Sequence, residues 1–78
     1  NEIDVRGMSS WEAWQQVDKY LSDAVVAGFN EVRIIHGKGK GVLRREIGEK
    51  LSGHQLVKNS RPGRWGEGDA GVTVVELA

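Results

Sequence analysis

The sequence predicts an α/β fold, a two-layer β-α-β-α-β-β sandwich in which two helices cover one face of a four-stranded mixed sheet. Three observations predict it. Short stretches with alternating or clustered β-branched residues flank two longer stretches whose apolar residues recur at helical spacing. Strand–helix alternation through the first three strands argues for crossover connections and parallel pairing. The last two strands are joined by a glycine-rich connection without a helix, so the fourth should run antiparallel to the third.

Each element has its own local signal. EIDVRG (2–7) alternates Ile3 and Val5 with charged residues and closes on Gly7, which reads as a half-buried strand. Ser9 followed by Glu12 fits a capping box, with Met8 placed to staple against Ala13. Ala13, Trp14, Val17, Leu21, Ala24, Val25 and Gly28 then recur at helical spacing, and Gly28 with Asn30 ends the helix. EVRIIH (31–36) is β-branched and reads as the second strand. A second helix carries Val42, Leu43, Ile47 and Leu51 inward and stops at Gly53. QLVK (55–58) reads as a short third strand, NSRPGRWGEGDAG (59–71) as a loop, and VTVVEL (72–77) as the last strand.

Composition bounds the chemistry. The chain holds 78 residues, enough for a single domain spanning 1–78. It starts at Asn1 with no initiator methionine and is read as a piece of something longer. It has no cysteine, which excludes disulfides, thiolate zinc sites and cysteine nucleophiles and fits a reducing, cytoplasmic setting. No apolar run is long enough to span a membrane. The net charge is zero, yet Arg33–Arg64 carries nine basic residues against Glu46 and Glu49, leaving the rest of the chain equally acidic. Such a division predicts a bipolar surface with one anion-attracting side.

Topology then converts charge into a site. Parallel strands share one C-terminal edge, where ligands favour the crevice. Arg6, His36, Lys38, Lys40, Arg61, Arg64 and Trp65 should therefore gather at one rim. The run GKGKG (37–41) lacks the spacing of a Walker A loop or a dinucleotide fingerprint. Its free amides, with Lys38 and Lys40 at a helix start, would still hold a phosphate of a polymer or nucleotide. His36 is either the acid/base of that rim or a strand-end residue that hydrogen-bonds the loop backbone. Asp4 can orient His36, ligate a divalent ion, or pair with Arg6. Trp14 fits the core stripe and Trp11 falls off it, while Trp65, set among arginines and glycines, suits either stacking on a base or sugar or a capping contact over the sheet edge. His54 reads as a surface residue, and Glu67 and Asp69 as loop acids.

Three segments together resemble one known family. DVRGM (4–8), IIHGKGKGVLR (34–44) and GEGDAGVTVVEL (66–77) are similar to the DLHG-like, HGxG and final-strand motifs of the Smr (small MutS-related) domain. The resemblance covers essentially the whole chain. It implies a fold like the C-terminal domain of translation initiation factor three, and nucleic-acid binding, often with endonuclease activity that nicks DNA or cleaves RNA. Arg6 stands where many members carry histidine, which resembles the branch at the C-terminus of bacterial MutS-type ATPases that suppress recombination and act on stalled ribosomes. The resemblance implies a phosphodiester-hydrolysing domain of little sequence specificity, or else a non-catalytic DNA- or RNA-binding module of a parent ATPase. His36, Asp4 and Arg6 are the expected catalytic group. Arg6, Gly37, Lys38, Gly39, Lys40, Arg61, Arg64 and Trp65 are the expected nucleic-acid contacts, with magnesium or manganese as the candidate cofactor.

Overall fold

A computed structural model describes all residues, 1–78. The order is β1 (Glu2–Asp4), α1 (Ser10–Val26), β2 (Glu31–Ile35), α2 (Val42–Leu51), β3 (Val57–Pro62) and β4 (Val72–Leu77), with a 3-10 turn over Asp69–Gly71. α1 begins where Ser9 and Glu12 form the expected capping box, the Ser9 hydroxyl accepting from the Glu12 amide at 3.2 Å. It ends at Ala27, and Gly28 follows with φ of +86°. α2 starts after Gly41 with no side-chain cap, which leaves its first amides free for solvent or an anion.

The sheet is mixed, in the order β1-β2-β4-β3. β1 pairs parallel with β2, whereas β4 lies antiparallel between β2 and β3. The first three strands do point the same way, but β3 does not pair with its parallel neighbours as the alternation suggested. The last strand is the most apolar of the four, with five of its six residues buried, and it takes the interior position. β3 takes the edge. It is also longer and later than the QLVK expectation, because polar Lys58, Asn59, Ser60 and Arg61 belong to it. An edge strand tolerates polar residues and a terminal proline, so its sequence imitates a loop.

Both helices cover one face. Val5, Ala13, Val17, Leu21, Val32, Ile34, Ile47, Leu51 and Val75 are essentially inaccessible and form the core between the layers. Burying each large aliphatic side chain contributes about 1.5–3 kcal/mol. Trp14 packs on this core and Trp11 is exposed, but Val42, expected inside, is 44% exposed on the first turn of α2. His54 is only partly exposed and is engaged on both ring nitrogens. Its Nε2 meets Asp18 Oδ1 at 2.8 Å and its Nδ1 accepts from the Leu56 amide, tying the α2–β3 connection to α1.

Strand alternation leaves Glu2, Asp4, Arg33, Ile35, Val72 and Val74 on the helix-free face. Val72 and Val74 are nonetheless buried there. The connection 63–71 folds back over them. A Cβ placed on Gly68 would lie 2.2 Å from Val72 Cγ2, so only glycine lets the backbone pass this close.

Candidate nucleic-acid interface

The C-terminal ends of β1, β2 and β3 share one edge, and a groove of about 470 Å³ opens there onto the helix-free face. Arg6, Gly37 and Lys38 line its rim, Ile35 and Val72 its floor, and Glu67 and Gly68 its far wall. Gly37 has φ of +81°, and its Cα faces the Arg6 side chain so closely that a Cβ would sit 3.4 Å from Arg6 Cγ. The strand-one motif and the glycine loop are thus in direct contact.

Two ion pairs fix the walls. Asp4 accepts from the Arg6 amide at 3.0 Å and from its guanidinium at 2.6–3.2 Å. These bonds, chiefly the guanidinium ones, hold the Asp4 carboxyl down at about 2. Glu67 accepts from Arg61 at 2.8 and 3.1 Å in a forked pair and from the Arg64 amide at 2.8 Å. The Arg61 bonds first, then the Arg64 amide, bring Glu67 down to about 2. A loop acid by sequence, Glu67 is the clamp that holds the 63–71 connection against β3.

A depressed carboxylate stabilises the fold fully above its ordinary pKa and loses that contribution as pH falls through the folded value. For Glu67 the window runs from about 4.5 down to about 2. The thermal midpoint, followed by circular dichroism, should therefore fall as pH drops from 5 toward 2. Glu67→Gln should remove part of that fall; an unchanged acid profile in the variant would show that the clamp contributes nothing.

His36 lies elsewhere. It is 6% exposed, away from the groove, and lines a smaller cleft with loop residues 37–44. Its Nδ1 is 2.9 Å from the Gly37 carbonyl and its Nε2 is 2.8 Å from Thr73 Oγ1. A carbonyl only accepts, so Nδ1 donates to Gly37, while Nε2 shares a hydrogen bond with the Thr73 hydroxyl, which can donate or accept. Both ring nitrogens are committed inside the domain. Of the roles open to Asp4, the structure displays the pair with Arg6 and no bond to His36.

The remaining expected contacts divide. Lys38, Lys40 and Arg64 are exposed, and their side chains make no ion pair. Arg61 is tied to Glu67, and Trp65 is 92% exposed in solvent. Gly39 sits at the loop tip with φ of +35°. For a divalent ion the donor set is poor. No three His, Cys, Asp or Glu side chains cluster, and Asp4 and Glu67 are already neutralised by arginines. Sequence reasoning missed Thr73, Glu67 and Arg33. For Arg33 a signal existed, namely a charged residue between Val32 and Ile34 in the middle of an apolar strand.

Comparison with known proteins places this arrangement. The Smr domain profile matches residues 3–78. The chain is 58% identical over 77 residues to Endonuclease MutS2 of Clostridium tetani and 59% identical over 75 residues to that of Clostridium kluyveri, covering 99% and 96% of this chain. It spans only 10% of the length of either relative. The crystal structure of the Smr domain of Thermus thermophilus MutS2 superposes with a TM-score of 0.97 at 41% identity, covering 100% of this chain and 98% of that one. YdaL, a stand-alone small MutS-related protein from Escherichia coli, shares the fold with a TM-score of 0.90 at 22% identity, over 97% of this chain and 63% of its own. By motif, fold and whole-length similarity, the chain belongs to the Smr domain family.

Proposed function

We propose that this domain is the nucleic-acid-engaging unit of an endonuclease, holding the phosphodiester backbone at the groove rim and nicking it with little sequence preference. One observation carries the reading. Arg6 of the first motif and Lys38 of the glycine loop, distant in sequence, line the same concavity, and the uncapped start of α2 opens on a neighbouring cleft that shares Gly37 and Lys38. The relatives' name, Endonuclease MutS2, supports the reading. Within it, Lys38 and the Arg6 guanidinium would stabilise charge developing on the phosphate oxygens. His36 would keep the loop in shape rather than move a proton.

A second reading, a binding module without chemistry that serves a parent ATPase on DNA or RNA, is favoured by the engaged state of both His36 nitrogens. Turnover of the domain on labelled DNA and RNA, with and without magnesium or manganese, separates the two. Nicks above background that are lost in Lys38→Ala support the first. Tight binding with no turnover under any condition leaves the second.

Binding itself has a quantitative expectation. With about four or five phosphate contacts, the log–log dependence of affinity on salt should have a slope of roughly −3 to −4. Lys38→Ala should reduce that slope by about one. Lys19→Ala should not, since Lys19 pairs with Asp23 on α1 at 3.0 Å. Equal losses in the two variants would place the contacts outside the loop.

A further inference from the structure

We propose that the groove on the helix-free face takes one unpaired nucleotide, its base lying in the groove and its phosphate at the rim. This deepens the nucleic-acid reading above and rests on it.

Three features carry the inference. The first is shape. The groove has about 470 Å³ of space over an apolar floor of Ile35 and Val72. That lies within the range of sites that enclose small organic groups and exceeds what a phosphate alone needs. The second is Arg33. It lines the same groove, is half-buried, and its guanidinium donates no hydrogen bond and closes no ion pair within the domain, although its charge reaches Glu67 on the far wall. A planar fork of five N–H donors held against a sheet can stack on a base or bond its edge. Glu2 sits opposite Arg33 in the β1–β2 register and lines the groove too, adding an acceptor beside the donor. Paired donors and acceptors over an apolar floor match a nucleobase edge, whereas phosphate has no use for a carboxylate.

The third feature is position. Arg6 and Lys38 stand in the same concavity, so a strand held there by its phosphate has its neighbouring base beside the floor. A base inside a duplex is stacked on both faces and cannot reach the bottom of a concave site. The groove therefore selects unpaired residues, such as those of a single strand, flap or loop.

The test uses three labelled oligonucleotides of equal length, in deoxyribose and ribose versions: a single strand, the same strand with a central abasic run, and its duplex. Phosphates are alike in the two single strands and only the bases differ. Fluorescence anisotropy should show the intact strand binding about tenfold tighter than the abasic one, the size expected for one base seated on a protein surface. Arg33→Lys keeps the charge and loses the planar fork. It should abolish the discrimination while leaving abasic affinity and the thermal midpoint near those of the parent. Equal binding of intact and abasic strands by the unmodified domain overturns the base site while leaving phosphate binding intact. Binding to none of the three probes overturns the nucleic-acid reading itself.

Discussion

His36→Ala is expected to lower stability, loop order and nucleic-acid affinity together, rather than cleavage alone. The imidazole bridges the Gly37 carbonyl and the Thr73 hydroxyl from a nearly inaccessible position. Its removal leaves a buried hydroxyl and a part-buried carbonyl without this partner and a small cavity, at a cost of about 2–3 kcal/mol. For a domain of this size that corresponds to a fall of roughly 10–20 °C in thermal midpoint. The loop that presents Lys38 should loosen with it. Thr73→Val breaks the same bond without touching the ring, and should reproduce part of the loss in midpoint and in affinity. If His36→Ala instead keeps the parent's midpoint and affinity and loses only turnover, the histidine is catalytic and the bracing account is wrong.

Gly68→Ala should be at least as damaging. The position has φ of +105°, and an added Cβ would fall 2.2 Å from Val72 Cγ2. Strain in the left-handed region adds about 1 kcal/mol, and the clash adds about 2 kcal/mol unless the connection lifts away. Lifting removes the far wall of the groove and uncovers Val72 and Val74, so both outcomes lower the midpoint by roughly 10 °C or more. Gly66→Ala serves as the control. Gly66 has a similar φ of +89° but nothing within 4 Å of the added carbon. A Gly68 variant no worse than the Gly66 variant would mean that the connection does not pack on the sheet as described.

These two residues show where local sequence is informative and where it is silent. Gly68 was legible as part of a glycine-rich turn, but the atom that forbids a side chain there belongs to Val72, four residues on, and only the 3-10 turn over Asp69–Gly71 brings the two together. His36 was legible as the end of a strand beside a glycine loop, with acid/base and bracing roles both open. Thr73, which engages its Nε2, lies 37 residues away. The Glu67–Arg61 clamp was hidden for a similar reason, because Arg61 sat in a segment whose polarity reads as loop until it pairs with β4 at the sheet edge.

By itself the sequence determined the element order, the capping box, the apolar stripe of α1, the second and last strands and the family. Each of these depends on neighbours within a few residues along the chain, where periodicity and cap chemistry act. Motif order also sufficed to bring Arg6 and the glycine loop to one edge, since parallel strands share their C-terminal ends. Tertiary structure alone decided that β4 enters between β2 and β3, that polar β3 is a strand, and that the 63–71 connection covers the free face. It also decided which charges are free, pairing Asp4 with Arg6 and Glu67 with Arg61 while leaving Lys38 and Arg33 without ion partners. The reason is physical. Strand order is settled by which strand hides the most apolar surface, and the availability of a charge by its nearest counter-charge in space; both are sums over contacts between segments far apart in the chain.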